Sequence, residues 1–274
     1  MTHIIDLFST REFVDLLKQN LPGAHIVAIQ IGDSPAQDQR RSYFDYANRQ
    51  ISEVCGKLKS DPRLKNGFNA IGLSQGGLMM RAYVEKCNNP PVKKLITFGS
   101  PLQGVSEFPG CRSNANSGFG NDSKNMKIYE ARKLSQSIKR IYLRWPGWMK
   151  KRKEPRENLL PCTALKSLIG LAIYSSKVQH EIMPAQYFKD PKQISQYIKS
   201  TNFLVDLNNE RTINDQYKRN IESLEQFVIF SFAKETIVIP AISTVLSLLP
   251  LSYVLGIWVL GRQQIDTHEG FTHL

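Results

Sequence analysis

Cysteine is scarce in this sequence, and its spacing argues against a metal or redox centre. The four cysteines are Cys55, Cys87, Cys111 and Cys162. No two of them have the C-x-x-C spacing that is typical of zinc sites and thioredoxin-like motifs. The even number permits two disulfides but does not prescribe their pairing. We therefore expect no metal site.

Acidic residues are fewer than basic residues. The 274 residues include 36 Lys and Arg against 24 Asp and Glu, which gives a formal net charge of +12. Such an excess would suit an anionic partner, either nucleic acid or a membrane surface. Zinc-finger spacing, RNP motifs and basic helix-turn-helix patterns are all missing, so we expect no nucleic-acid binding. A solvated basic surface is favoured, with membrane-surface contact as the alternative.

A secretory signal is missing from residues 1–10, which lack a basic start followed by an apolar run. Residues 236–260 form a run of 25 residues without a charge, which is long enough to span a bilayer. Pro240 and Pro250 interrupt this run, and serine and threonine dilute it. A buried strand, turn and helix of a core is favoured over a membrane span.

Internal repeats and low-complexity segments are absent, and apolar runs alternate with amphipathic ones instead. Period-3.6 patterns predict helices, and short β-branched or aromatic runs predict strands. The predicted helices are 11–20, 43–59 and 76–87, and the predicted strands are 25–31, 68–73, 95–98 and 227–232. This alternation predicts an α/β fold with a mainly parallel sheet and helices on both faces.

We expect one domain over residues 1–274 with an insertion at about 112–161. The insertion is first rich in glycine, asparagine and serine and then basic, and it contains a weak glycosylation sequon at Asn121. After it, residues 165–178 and 193–206 have helical patterns. Residues 263–266 are a candidate last strand.

The residues Gly72-Leu73-Ser74-Gln75-Gly76 match the motif G-x-S-x-G. They lie directly after a predicted strand and directly before a predicted helix, as a nucleophile elbow requires. Small residues at Gly72 and Gly76 allow the strand and helix to approach closely. The backbone N–H of Gln75 would then stabilise an oxyanion. The pattern predicts Ser74 as the nucleophile of an α/β-hydrolase.

A serine nucleophile needs a general base and an acid that orients it, and in this fold their order is Ser, then Asp or Glu, then His. His268 and His273 satisfy that order and follow the candidate last strand. Glu235 follows the strand predicted at 227–232, at the end where α/β sheets bind ligands. Asp206 and Asp266 are the alternative acids.

At this point the sequence resembles a known family, the palmitoyl-protein thioesterases. The resemblance to the nucleophile region of that family runs from Asn66-Gly67-Phe68 through the G-x-S-x-G motif and Gly77 to Arg81 and Cys87. It continues at Gln103-Gly104-Val105, Pro109-Gly110-Cys111, Ala185-Gln186-Tyr187-Phe188-Lys189-Asp190-Pro191 and Phe203-Leu204-Val205-Asp206-Leu207-Asn208-Asn209-Glu210. It covers residues 21–240 apart from the insertion.

The resemblance implies an α/β-hydrolase that removes long-chain fatty acyl groups from cysteine residues of S-acylated proteins, without a metal or organic cofactor. It implies Ser74 as nucleophile and Glu235 where the family has aspartate. It favours His273, which follows Gly270 closely, over His268 as the base. It also implies lysosomal or secretory-pathway location.

The resemblance further implies two disulfides, Cys55–Cys87 and Cys111–Cys162. The family's first core strand and its His-Gly-rich oxyanion loop should precede Phe8, and this chain has no matching residues. Two alternatives to a thioesterase therefore stay open. One is a lipase or esterase acting on oxygen esters, and the other is an inactive or incomplete relative that binds lipid or membrane.

Overall fold

The computed structural model describes residues 7–107, 172–233, 235, 237–245 and 254–260, with the backbone alone for 7–12 and 254–260. Residue contacts divide the chain into two compact units. The first is Met1–Glu107 with Ile173–Leu274, and the second is Phe108–Ala172. The architecture below is that of the first unit. The single domain and the insertion at 112–161 stay predictions.

Four parallel strands form the sheet of the described part. They are β1 (Phe68–Leu73), β2 (Val92–Phe98), β3 (Gln226–Phe232) and β4 (Val254–Leu260), and they lie side by side in that order. No strand precedes β1 within residues 7–67. The predicted α/β class with a parallel sheet is confirmed, because parallel strands need the helical crossovers that the sequence pattern indicated.

Eight α-helices surround this sheet in the described residues. They are α1 (Leu7–Asn20), α2 (Pro35–Arg41), α3 (Ala47–Lys59), α4 (Gln75–Lys86), α5 (Ser176–Glu181), α6 (Ile194–Ser200), α7 (Leu204–Leu207) and α8 (Asp215–Glu222). Short 3₁₀ helices occur at Pro62–Leu64, Met183–Tyr187, Pro191–Gln193 and Ala241–Thr244.

One face of β1, β2 and β3 contributes to the core, and α4 packs on β1 and β2. Ala70 and Leu95 contribute to the core from the first two strands, and Phe227 and Ile229 contribute from the third. Apolar residues of α3 and α4 complete this core: Val54, Leu58, Met80, Tyr83 and Val84. The strands therefore bury alternate residues against the helix that follows Ser74, which fixes where that helix begins.

Aromatic side chains occupy the opposite face. The rings of Phe98 and Phe230 stack with their centroids 4.5 Å apart, and Phe13 of α1 meets Phe98 edge-on at 6.5 Å. A helix thus contacts the second face as well. This accounts for the apolar residues on both sides of the strands.

The strand predicted at residues 25–31 is wrong. Within the segment only Ile29 forms a bridge. At its end, side chains bind two backbone groups: Asp38 Oδ1 accepts from Ile31 N at 2.8 Å, and Lys57 Nζ donates to Gln30 O at 2.5 Å. Ile29 and Ile31 still reach the core, so the apolar pattern reports burial rather than strand pairing.

The uncharged run at residues 236–260 contains a 3₁₀ turn, Ala241–Thr244, and strand β4. None of the helices in the described residues is long and apolar enough to cross a membrane. The candidate last strand at 263–266 lies outside the described residues. The helix predicted at 193–206 is split into α6 and α7, and α2 and α8 were not predicted.

A disulfide joins Cys55 of α3 to Cys87 at the end of α4, with the Cα atoms 6.2 Å apart. This confirms the first pairing that the resemblance implied. Cys111 and Cys162 lie outside the described residues, so the second pairing stays a prediction. The bond links the helix that follows Ser74 to its neighbour.

A buried arginine of α4, which pairs with a glutamate of the same helix, connects α4 to two other segments. Arg81, which is 2% exposed, donates from Nε to Glu85 Oε1 at 2.6 Å. Its Nη1 donates to Leu102 O at 2.7 Å and to Asn208 Oδ1 at 2.8 Å, and its Nη2 donates to Leu207 O at 2.9 Å. One guanidinium therefore holds the loop after β2 and the end of α7 against α4.

We expect the double variant Cys55→Ala/Cys87→Ala to lose about 3–4 kcal/mol of unfolding free energy. The bond closes a loop of 32 residues, and the cost follows from the chain entropy that such a loop returns to the unfolded state. Urea unfolding of both proteins measures the difference. The difference should largely vanish in reductant, and its persistence there would contradict this origin.

Glu85 should make stability fall as pH rises. Burial raises the pKa of Glu85 to about 7 and outweighs the opposing effect of Arg81. The folded state then holds this proton to higher pH than the unfolded chain does. The stabilisation that comes from the bound proton is therefore complete below pH 4.5 and is lost as the pH rises through 7.

The free energy of unfolding of Glu85→Gln, taken relative to that of wild type, should therefore rise by about 3 kcal/mol between pH 4.5 and pH 8. Urea unfolding of both proteins at pH 4.5, 6 and 8 provides the measurement. A stability difference that does not change with pH would show that Glu85 keeps an ordinary pKa in the folded protein.

Candidate active site

Ser74 lies in a strained backbone conformation between β1 and α4. Its φ is 48° and its ψ is −127°, a region that side-chain-bearing residues rarely occupy. Two backbone hydrogen bonds hold it there: Ser74 N donates to Phe98 O at 2.8 Å, and Gly77 N donates to Ser74 O at 3.0 Å. This sharp strand-to-helix turn is the geometry that a nucleophile elbow needs.

Glycines allow the strand and helix to meet without side chains. A Cβ on Gly72 would lie 2.4 Å from Gly77 Cα and 2.7 Å from Gly76 C. A Cβ on Gly77 would lie 2.0 Å from Ser100 Oγ. The motif predicted a packing role for Gly72 and Gly76, whereas Gly77 was part of the family resemblance only and its contact with Ser100 was not predicted.

Gln75 is the first residue of α4, so its backbone N–H is among those without an intrahelical acceptor. This places it where an oxyanion donor is expected. Its side chain is 2% exposed, and its Oε1 accepts a hydrogen bond from the Tyr187 hydroxyl at 3.3 Å. Tyr187 therefore fixes the residue next to Ser74, a contact that the sequence did not predict.

Glu235 follows β3 on the same edge of the sheet. Its Oε1 accepts from Ile237 N at 2.7 Å and from Val238 N at 3.0 Å. Its Oε2 lies beside Gly99, where an added Cβ would be 3.3 Å away. One carboxylate oxygen is thus held by the backbone, while the other faces the residue that directly follows β2.

Ser74 and Glu235 are two strands apart at this edge. The backbone connects them through β2, since Ser74 N bonds to Phe98 O and Gly99 N bonds to Phe230 O at 2.8 Å. Neighbouring strands lie roughly 4.8 Å apart, so the two segments are about 10 Å apart.

The two candidate bases, His268 and His273, lie outside the described residues, so the structure does not choose between them. Two other histidines make contacts with other groups. His25 Nε2 lies 2.7 Å from Asp61 Oδ2, and His180 Nδ1 lies 2.6 Å from Ser176 O while its ring stacks on Tyr46.

Asp206, an alternative acid, is far from Ser74. Its carboxylate pairs with Lys86 Nζ and accepts from the Tyr217 hydroxyl at 3.1 Å. Lys86 is the last residue of α4 and Ser74 directly precedes the first, so about 18 Å of helix separates them. The other alternative, Asp266, lies outside the described residues, as does the sequon at Asn121.

Gly72→Ala should destabilise the fold by about 3 kcal/mol, because its methyl group would overlap backbone atoms that cannot turn aside. Gly56→Ala is the matched control. Gly56 lies in α3 with no atom within 4 Å of an added Cβ, so alanine should stabilise by about 1 kcal/mol there. Urea unfolding distinguishes the two. Equal effects would mean that the strand–helix contact tolerates a side chain.

Curated relatives of this chain carry a shared description. It is 32% identical over 225 residues to palmitoyl-protein thioesterase 1 of Caenorhabditis elegans, covering 82% of this chain and 61% of that protein. It is 27% identical to palmitoyl-protein thioesterase 3 of Dictyostelium discoideum, covering 82% of this chain and 60% of that protein. The chain thus spans about three-fifths of their length.

A further relative is a palmitoyl-protein thioesterase–dolichyl pyrophosphate phosphatase fusion of Schizosaccharomyces pombe. The identity is 31% over 229 residues, covering 82% of this chain and 30% of that protein. Among solved structures, an esterase from Exiguobacterium antarcticum is similar with a TM-score of 0.40 and 13% identity, over 96% of this chain and 82% of that one.

The family model described as palmitoyl protein thioesterase matches residues 2–252. This match covers most of the chain, including Ser74 and Glu235, and it confirms the resemblance on which the sequence analysis relied. The chain belongs to the palmitoyl protein thioesterase family.

Proposed function

We propose that this chain is a palmitoyl-protein thioesterase that uses Ser74, Glu235 and His273 to hydrolyse long-chain acyl thioesters of cysteine. The observation that carries the proposal is the strained Ser74, with Glu235 two strands away at the same edge of the sheet. Family membership supports the thioester chemistry. His268 is the alternative base.

The first half of the reaction forms an acyl-enzyme. His273 accepts the Ser74 hydroxyl proton while Oγ attacks the thioester carbonyl, and Glu235 stabilises the imidazolium that results. The Gln75 N–H, at the positive end of α4, donates to the oxyanion. The carbon–sulfur bond then breaks, and His273 returns the proton to the departing cysteine thiolate.

The second half regenerates the enzyme. His273 removes a proton from water, and the hydroxide attacks the acyl-serine carbonyl. Gln75 again stabilises the oxyanion, and the proton passes to Ser74 Oγ as the carbon–oxygen bond breaks. The products are a fatty acid and a free cysteine thiol, and no step draws on a metal or organic cofactor.

The substrates in this proposal are S-acylated proteins in the lysosome or the secretory pathway. The Cys55–Cys87 disulfide supports an oxidising compartment, because such bonds persist there and are rare in reducing ones. The family supports the acylated substrate.

Hydrolysis of a palmitoyl thioester tests the proposal, with the chain produced through an oxidising secretory route. We expect Ser74→Ala to reduce kcat by about 10⁴-fold or more, and Glu235→Gln to reduce it by roughly 10³-fold or more. Asp206→Asn is the control, since that carboxylate pairs with Lys86, and it should keep most of the activity.

Alanine variants of His273 and His268 identify the base, which should be His273. Comparison with a palmitoyl oxygen ester distinguishes a thioesterase from a lipase or esterase. Folded, disulfide-bonded protein without turnover would contradict the catalytic proposal and favour a lipid-binding relative.

A further inference from the structure

Tyr187 links the residue that follows Ser74 to the loop after β2. It is the last residue of the 3₁₀ helix Met183–Tyr187 and is 8% exposed. Its hydroxyl donates a hydrogen bond to Gln75 Oε1 at 3.3 Å. Burial raises the pKa of Tyr187 above its ordinary value, so the hydroxyl keeps its proton for this bond. The contact therefore lies one residue from Ser74.

The backbone of Tyr187 is held by the loop after β2. Val105 N donates to Tyr187 O at 2.9 Å, and Lys189 N donates to Val105 O at 2.7 Å. Gly104 packs directly on the same carbonyl, because an added Cβ would lie 2.6 Å from Tyr187 O. The backbone from which the ring extends is therefore fixed, and this restricts where the hydroxyl can lie.

The side chain of Gln75 depends on this hydrogen bond. Gln75 is 2% exposed, so its amide has little access to water. Its Nε2 is buried and has no hydrogen-bond partner among the described residues. Within the same part of the chain, the Tyr187 hydroxyl is the donor that Oε1 contacts. Tyr187 thus sets the direction of the Gln75 amide.

Without that hydroxyl, a buried acceptor would lie beside free donors. A buried carbonyl oxygen without a donor is unfavourable, so Gln75 Oε1 would turn to another donor. The N–H groups in the first turn of a helix lack intrahelical acceptors, and Gln75 begins α4. Those N–H groups include the one expected to stabilise the oxyanion. A freed Oε1 would therefore compete with the oxyanion for them.

We propose that Tyr187 is a positioning residue for acyl transfer, whose hydroxyl keeps the Gln75 side-chain carbonyl off the N–H groups that bind the oxyanion. The proposal rests on the proposed function, in which Ser74 attacks a thioester. Tyr187 does not touch the reacting atoms in this role. Its effect falls on the transition state, where negative charge develops, and spares the binding of substrate.

The kinetics of Tyr187→Phe with a palmitoyl thioester test this role. We expect kcat to fall about tenfold while KM stays within about twofold of wild type. This loss is smaller than the roughly 10²- to 10³-fold loss that follows removal of an oxyanion donor, because the N–H is still present. An unchanged kcat, or a KM that rises without a change in kcat, would overturn the proposal.

Tyr83→Phe is the matched control. Tyr83 is fully buried, its hydroxyl donates to Pro90 O at 2.7 Å, and it lies about 14 Å further along α4 than Ser74. This variant loses a buried hydroxyl too, so it should be destabilised as Tyr187→Phe is, yet keep the kcat of wild type. Thermal unfolding measures the stability of both. Equal losses of kcat, or a Tyr187→Phe protein that alone fails to fold, would show a structural role and overturn the proposal.

Two inhibitors separate oxyanion stabilisation from ground-state binding. A long-chain alkyl trifluoromethyl ketone takes the Ser74 oxygen at its carbonyl carbon while the base accepts the proton, which gives a tetrahedral oxyanion. A thioether with the same chain binds without reacting. Tyr187→Phe should weaken inhibition by the ketone about tenfold, in parallel with kcat/KM, and leave inhibition by the thioether unchanged. Equal effects on the two inhibitors would contradict the proposed role.

The double variant Gln75→Met/Tyr187→Phe tests the cause of the loss. Methionine is unbranched, as glutamine is, and has no carbonyl that could compete for the N–H groups. With both partners apolar, no buried acceptor is left without a donor. The double variant should therefore recover about threefold or more in kcat over Tyr187→Phe. A double variant that is no more active than Tyr187→Phe would overturn the proposal.

The two proposals fail in different ways. Thioester hydrolysis by wild type that Tyr187→Phe leaves unchanged contradicts the role of Tyr187 alone. Wild type that is folded and inert contradicts the hydrolase proposal and, with it, the role of Tyr187.

Discussion

The candidate active site depends on the direct backbone contact between β1 and α4. Gly72 and Gly77 let strand and helix approach to a distance that no Cβ would allow. Because only Ser74 lies between the end of the strand and the start of the helix, the turn falls on this residue, whose φ is 48°. That strain persists because Phe98 and Gly77 bond both of its backbone groups. The packing of two glycines thus determines the position of Ser74.

Helix α4 also connects this strand–helix contact to other segments of the structure. Arg81 binds the carbonyl of Leu102 and the end of α7, and Cys87 is bonded to α3. The loop held at the Leu102 carbonyl is also the one that carries Gly99 past Glu235. The turn at Ser74 and the segment at Glu235 therefore share one buried support, whose Glu85 carboxyl lies in a medium that disfavours its charge.

The sequence predicted the central elements well, because short apolar runs and helical periodicity there coincide with local preference. Strand β1 has the predicted bounds, and α4 begins one residue earlier than predicted. The strand at 25–31 was wrong because its apolar residues indicate burial, not pairing: Ile29 and Ile31 lie in the core, while Asp38 and Lys57 bind the backbone at Ile31 and Gln30. Ser74 and Gln75 could be predicted because the G-x-S-x-G motif has a strict geometry. The contact of Tyr187 with Gln75 joins residues that are distant in sequence, so no local pattern indicates it.

Glutamate at position 235 fits the geometry around it. One carboxylate oxygen accepts hydrogen bonds from the backbone N–H groups of Ile237 and Val238. The extra methylene of glutamate, compared with aspartate, gives the side chain the length for this contact. The other oxygen lies against Gly99, where an added Cβ would also come within 2.6 Å of the Phe232 ring. The missing side chain at 99 therefore makes room for both the ring and the longer acid. Because an orienting acid needs only one oxygen on the imidazole, this arrangement is compatible with the role proposed for Glu235.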